Sequence, residues 1–294
     1  MKDTRIGNKL FIWGTRTYVM GILNITPDSF SGDGLGAAGD VVAAAVAQAR
    51  RFAAAGVDIL DVGGESTRPG AEPISAAEEQ ARVLPVIQAL AVELGLPISI
   101  DTDKAEVAAA ALDAGAHLVN DVWALRADLQ LAPLVAERGV PIVLMHNRSN
   151  PANAELRGKL GGRYIGVEYQ DLVADIRHEL LESVEQAHQA GVLDENIILD
   201  PGIGFGKTVE QNLELLDRCG ELRALGYPLL VGPSRKSFIG YTLDLPPDKR
   251  IEGTAAAVAV AITRGADLVR VHDVEPLMRV VKMTDAIVRR SKLG

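Results

Sequence analysis

The sequence predicts a (β/α)8 barrel, and three observations carry that expectation. Short apolar runs occur eight times, at residues 19–23, 59–62, 98–100, 118–119, 142–145, 197–199, 229–231 and 268–271. Each run is continuous rather than alternating, which is the pattern of parallel strands buried on both faces. Helical stretches rich in alanine and leucine lie between them. They stop at Gly56, Gly95, Gly115, Gly139, Gly226 and Gly265, with Gly191 a looser case, just before the next run begins. A glycine there suits the left-handed position that ends a helix. Eight strand–helix repeats in 294 residues are the arithmetic of a TIM barrel forming one domain over residues 1–294. A doubly wound open sheet fits less well, because it has fewer strands and no reason to stop at eight.

Taken in order, residues 1–18 precede the first barrel strand. Stretches 10–13 and 17–20, around Gly14-Thr-Arg16, predict an N-terminal β-hairpin closing the bottom of the barrel. Ser75-Ala-Ala-Glu78 and Thr208-Val-Glu-Gln211 predict helix starts of the capping-box kind. The polar stretch 147–162, after the fifth run, reads as the longest loop. No interdomain linker or low-complexity tail is visible.

Composition narrows the function classes. A net charge of −9 with 4% aromatics repels phosphate backbones and offers little stacking, against nucleic-acid binding. The single thiol, Cys219, allows neither an internal disulfide nor a cysteine zinc cluster. The first residues contain no continuous apolar region of a signal peptide, and the small-apolar run 255–262 is too short to span a bilayer. A cytoplasmic protein with no membrane partner is the expectation.

Barrel chemistry belongs at the C-terminal ends of the strands. The residues following the eight runs are Asn24, Gly63-Gly64-Glu65-Ser66-Thr67-Arg68, Asp101, Asn120-Asp121, His146, Asp200, Ser234-Arg235-Lys236-Ser237, and Arg270 with His272. Helix capping explains Asp, Asn, Ser and Thr at such places as readily as function does. It does not explain Arg, Lys and His, nor the carboxylates that close Ile98-Ser-Ile-Asp101 and Ile197-Ile-Leu-Asp200. The set points to a polar ligand with both N–H donors and anionic groups.

Several motifs fail on inspection. Pro201-Gly-Ile-Gly-Phe-Gly-Lys-Thr208 looks like a phosphate loop, but Walker A requires glycine where Pro201 stands. His178-Glu-Leu-Leu-Glu182 lacks the second histidine of a zinc-protease helix and reads as a solvated face. Asn147-Arg-Ser149 matches a glycosylation sequon, with nothing to indicate secretion.

Five motifs in order then carry a resemblance: Asn24-Ile-Thr-Pro-Asp-Ser-Phe-Ser31, Asp61-Val-Gly-Gly-Glu-Ser-Thr-Arg-Pro-Gly70, Asp200-Pro-Gly-Ile-Gly-Phe-Gly-Lys207, Ser234-Arg-Lys-Ser-Phe238 and Arg270-Val-His-Asp273. Together they resemble the dihydropteroate synthase family over nearly the whole chain. The resemblance implies a transferase that condenses 6-hydroxymethyl-7,8-dihydropterin diphosphate with 4-aminobenzoate, giving 7,8-dihydropteroate and diphosphate. It also implies Mg2+ and a homodimer. Asn24 resembles the metal ligand. Arg270 and His272 resemble the diphosphate pair, with Thr67 and Arg68 as further contacts. Asp101, Asn120, Met145, Asp200, Phe205 and Lys236 match the pterin positions, and Asp101, Lys236, Arg270 and His272 carry the catalytic roles. Phe30, Thr67, Pro69 and Ser237 match the aminobenzoate site.

Asp121 reads as a structural carboxylate, and His146 as a satisfied polar group. Ser31-Gly-Asp-Gly-Leu-Gly36 lengthens the family's first loop and leaves the role of Asp33 open. The glycines of loops 31–39 and 63–64 imply a compulsory order, with pterin diphosphate binding before aminobenzoate. Two alternatives share the pterin acids. A corrinoid-linked methyltransferase barrel would need neither the first nor the second loop. A non-catalytic pterin-binding relative would have lost the anion and aminobenzoate residues that stand here.

Overall fold

Two short antiparallel strands, β1 (Thr4–Ile6) and β2 (Lys9–Phe11), open the chain. The computed structural model describes residues 1–26, 38–66, 72–165 and 167–290. Ile6 faces Lys9, so the turn is Gly7-Asn8, with Gly7 at φ +58°. This corrects the expected hairpin around Gly14. Residues 17–20 cannot serve as its second strand, because Tyr18 already starts the parallel strand β3 (Tyr18–Asn24). The hairpin still closes the bottom, as expected. Ile6, Phe11 and Trp13 pack with Tyr18, Met20, Ile59, Leu118, Val143, Ile198, Leu230 and Leu268 in one buried cluster.

The barrel strands follow β3 in order: β4 (Ile59–Gly63), β5 (Ile98–Asp101), β6 (Leu118–Asp121) and β7 (Ile142–Met145). A second small antiparallel hairpin intervenes, β8 (Ala154–Arg157) with β9 (Gly161–Tyr164), before β10 (Ile197–Asp200), β11 (Leu230–Val231) and β12 (Leu268–Val271). The stretch expected to be a loop is therefore structured: its antiparallel pairing satisfies the backbone groups that a plain loop would leave to water. Hydrogen-bonded neighbours run β10-β7-β6-β5-β4-β3-β12-β11, and a parallel bridge between Leu199 and Leu229 joins the two ends. The ring is complete, and all its pairs are parallel.

Around it stand α1 (Ala38–Ala55), α2 (Ala76–Glu93), α3 (Ala105–Asp113), α4 (Leu131–Arg138) and α5 (Leu172–Gln189). They are followed by α6 (Val209–Arg218), α7 (Gly220–Arg223), α8 (Ser237–Leu243), α9 (Ile251–Thr263) and α10 (Val274–Val288). All seven expected terminator glycines have positive φ, from +55° at Gly95 to +114° at Gly115. That conformation is strained for any residue with a Cβ, so glycine sets the point where each helix stops. Thr208 forms a full capping box with Gln211, whereas at Ser75 only the hydroxyl half is made, accepting from Glu78 N–H.

Side chains alternate along each strand. Leu60, Val62, Ile98, Ile100, Val119, Ile142, Leu144, Ile197 and Leu199 face outward into the core shared with the helices. Their neighbours face inward, and the inward row changes character as it rises. Ile59, Leu118, Val143, Ile198 and Leu268 belong to the apolar plug. Two residues further along the same strands stand Asp61, Asn120, Met145, Asp200 and Arg270. No helix among the described residues is long and apolar enough to cross a membrane.

Candidate active site

The upper inward layer gathers the polar residues at the C-terminal mouth of the barrel. Arg270, on β12, is its centre. Its Nε donates to Asp61 Oδ2 and its Nη2 to Asp101 Oδ2, both at 2.6 Å. Asp61 is fully buried, and Asn120 Nδ2 approaches its Oδ2 at 3.4 Å. Two of the five guanidinium N–H groups are occupied, and three remain to meet an anion.

Burial pushes Asp101 up to about 7; Arg270 opposes the shift, and the Asp61 charge adds to it. Burial also works against the Arg270 cation, but the Asp61 and Asp101 carboxylates outweigh it and hold the guanidinium charged. Such perturbed groups in one cleft are the mark of a functional site.

Opposite stands the second half. Asp200 ends β10 in register with Met145, is buried, and accepts from Gly202 N–H at 2.7 Å. Burial raises its pKa against the pull of Lys236. Lys236 is brought down to about 7 by burial, partly offset by Asp200, while Arg270 pushes the same way as burial. Its Nζ donates to Ile203 O and lies 4.4 Å from the centre of the Phe205 ring. Asp101 faces Asn120 in register, and Asn24 faces Gly63 at the rim. Ser234 Oγ meets both the N–H and Nδ1 of His272 at 3.1 Å. Ser237 is the first residue of α8, directly after Lys236.

The structure thus brings together Asp101, Asn120, Met145, Asp200, Phe205, Lys236 and Arg270, with Asn24, His272 and Ser237 at the ends of β3, β12 and the turn into α8. Phe30, Thr67, Arg68 and Pro69 lie outside the described residues, as do Asp33 and most of the loop on which the binding-order expectation rests. Asp121 is structural: its carboxylate accepts from Trp123 N–H at 2.8 Å and Leu125 N–H at 2.5 Å, steadying positive φ at Ala124 and Leu125. His178 is exposed on α5, as a solvated face requires, and Asn147 is buried against Val122 O.

Sequence reasoning missed two features. Asp61 was legible, because it stands two residues beyond Ile59 on the inward face, as Asp200 stands beyond Ile198. Lys207 was not. It is 2% exposed, and its Nζ donates to Gly202 O, Phe205 O and His146 Nδ1 at 2.9–3.0 Å. The loop that imitates a phosphate cradle therefore folds around its own lysine and leaves it nothing to offer a phosphate. His146 accepts from that lysine while its Nε2 lies 3.2 Å from Glu179; burial and Lys207 bring it down to about 3, so it is neutral. The expected satisfied polar group is thus satisfied only at Nδ1, since Nε2 lies near Glu179 without a formed hydrogen bond.

Chemically, the mouth offers carboxylate and amide acceptors, a lysine nitrogen and a partly satisfied guanidinium, a set suited to a polar ligand with both N–H donors and anionic groups. Among the described residues no group of three His, Cys, Asp or Glu side chains could hold a metal ion. The neutral oxygen of Asn24 suits a hard cation that keeps most of its ligands as water and phosphate.

Comparison with known proteins agrees with this chemistry. A family model described as pterin binding enzyme matches residues 20–272. The chain is 50% identical over 287 residues to a dihydropteroate synthase of Clostridium beijerinckii, covering 97% of this chain and 100% of the relative. It is 48% identical over 275 residues to that of Bacillus subtilis, covering 94% and 90%. The solved dihydropteroate synthase of Clostridium difficile with pteroic acid superposes with a TM-score of 0.85 at 46% identity, covering 95% and 99%. That of Xanthomonas albilineans with 4-aminobenzoic acid gives 0.82 at 42%, covering 92% and 93%.

Proposed function

The chain belongs to the pterin-binding enzymes as a member of the dihydropteroate synthase family, and we propose how its barrel mouth performs that family's reaction. The reaction joins the methylene carbon of 6-hydroxymethyl-7,8-dihydropterin diphosphate to the amine of 4-aminobenzoate. The carbon–oxygen bond breaks with its electron pair leaving on diphosphate, the amine lone pair forms the new bond, and the amine gives up a proton.

The observation that carries the assignment of roles is the pairing of three buried acceptors with two cations across one inward layer. Asp200 and Asn120 accept from the aminopyrimidine edge, and Lys236 donates to the ring carbonyl. Phe205 and Met145 flank the ring. Asp101, already beside Arg270, stabilises positive charge developing on the pterin. Arg270 and His272 receive the leaving diphosphate, an arginine fork being suited to phosphate oxygens. Asn24 would hold Mg2+, which when bound neutralises charge on the diphosphate. Ser237 meets the carboxylate of 4-aminobenzoate, with Phe30, Thr67 and Pro69 completing that pocket and Arg68 the diphosphate site.

A homodimer is the assembly we infer. Met283 and Ile287 are 62% and 64% exposed one turn apart on α10, and Val260 is exposed on the adjacent α9, an apolar face a second copy would cover. The acidic composition with a single buried thiol fits a cytoplasmic setting. The protein mixed with pterin diphosphate, 4-aminobenzoate and Mg2+ is expected to release diphosphate and form dihydropteroate. Binding of pterin without diphosphate release would instead mark a non-catalytic protein.

A further inference from the structure

Arg250 precedes α9, outside the layer that lines the barrel mouth, and is 2% exposed. Its guanidinium donates to main-chain carbonyls in three separate segments. Nε reaches Leu245 O beyond α8 at 3.0 Å, Nη1 reaches Arg235 O at 2.8 Å, and Nη2 reaches Leu160 O between β8 and β9 at 2.9 Å. Gly240 of α8 lies against the same guanidinium, so closely that a Cβ there would overlap Nη2.

The middle contact matters most. Arg235 sits at φ +58°, a left-handed conformation that a residue with a Cβ keeps only when its surroundings enforce it. Both ends of its main chain are gripped from the start of α9: its N–H donates to Thr254 Oγ1 at 3.1 Å, and its carbonyl accepts from Arg250. Its side chain pairs with Asp273, Nε to Oδ2 at 2.8 Å. Lys236 and Ser237 are the next two residues, so the direction in which they leave the turn is set by this one strained peptide.

We propose that Arg250 is a positioning residue for the reaction, tying Arg235, the end of α8 and the tip of the β8–β9 hairpin together so that Lys236 and Ser237 face the substrates. The proposal rests on the roles given to Lys236 and Ser237 above. Arginine is required because its donors diverge from a rigid plane toward three carbonyls, whereas lysine brings a single nitrogen. The hairpin is a working part of the same brace. Tyr241 Oη of α8 donates to Gly161 O at 3.0 Å, and the Arg163 guanidinium lies 4.6 Å from the Tyr241 ring centre.

Steady-state kinetics and thermal midpoints of Arg250→Lys, Tyr241→Phe and Ser237→Ala test the proposal. Arg250→Lys is expected to raise KM for 4-aminobenzoate and for pterin diphosphate about tenfold and to lower kcat. Tyr241→Phe, which loosens the hairpin without touching the guanidinium, is expected to raise both KM values about threefold. Parent-like KM and kcat in a folded Arg250→Lys protein, with only the thermal midpoint lowered, overturn the proposal. If Arg250→Lys does not fold, Tyr241→Phe decides: raised KM values uphold the brace, and parent-like values overturn it. An unchanged aminobenzoate KM in Ser237→Ala refutes the assignment of Ser237 instead. The brace is then judged on the KM for pterin diphosphate, which reads Lys236.

Discussion

Arg270 shows how one residue serves fold and site together. Its partner Asp61 is fully buried, so Arg270→Ala leaves an uncompensated carboxylate that costs about 3 kcal/mol of stability, measurable by urea unfolding. The double variant Arg270→Ala/Asp61→Ala is expected to regain most of that stability while diphosphate affinity stays low. Recovery of both would make Arg270 purely structural. At Asp200, replacement by Asn puts a donor where the pterin needs an acceptor. Calorimetry is expected to show a loss of about 2 kcal/mol in pterin affinity without unfolding. The acid and base shifts predict a pH profile as well. In the free protein Asp101 is protonated below about 7 and Lys236 loses its proton above about 7. Pterin binding therefore strengthens as pH rises toward 7, where the carboxylate acceptor appears, and weakens beyond it, where the ammonium donor is lost. Both limbs belong to the Asp101–Arg270–Lys236 cluster rather than to single residues. Because Asp101 is a titrating member of that cluster, Asp101→Asn is expected to shift or flatten the acid limb of the binding profile, and an unchanged acid limb would take Asp101 out of it.

At the scale of elements, the stretch from Asp200 to Thr208 is a closely constrained connection at the mouth. Gly202 and Gly206 have φ of +69° and +60°, and a Cβ at either would collide with the backbone of His146 or Arg148. Lys207 draws the loop inward through its two carbonyl bonds, which leaves Phe205 at the mouth beside Lys236. The capping box then starts α6 at Thr208. Thr208→Ala removes the hydroxyl that accepts from Gln211 N–H and is expected to cost about 1 kcal/mol in urea unfolding. An unchanged midpoint would mean that Lys207 alone fixes the helix start.

For the whole molecule, the prediction concerns assembly. Met283→Glu combined with Ile287→Glu places charge on the exposed face of α10 while the buried side of that helix, Leu277, Met278 and Val281, is untouched. Light scattering is expected to show a dimer for the parent and a monomer for the variant, both folded. A parent that is monomeric at micromolar concentration would remove the homodimer from the reading.

The sequence by itself determined the barrel and most of its mouth. Parallel strands buried on both faces give continuous apolar runs, helix stops need glycine, and a polar residue two places beyond an inward apolar one must face the same cavity. Asn24, Asn120, Asp200 and Arg270 are found by that count, Asp61 is open to the same argument, and Asp101 and Lys236 are found because they follow an apolar run. Tertiary structure alone decided the rest. The residue pattern does not distinguish a solvated lysine from Lys207, because it is buried only once a histidine 61 residues away meets its ammonium over the loop's own carbonyls. The start of the chain paired around Gly7-Asn8 rather than Gly14, because residues from Tyr18 onward were claimed by the parallel sheet through partners hundreds of residues distant. Arg250 reads in sequence as one more surface charge. Only when Leu160, Arg235 and Leu245 converge does its planar fork find three carbonyls at once, and that convergence is set by packing over long range.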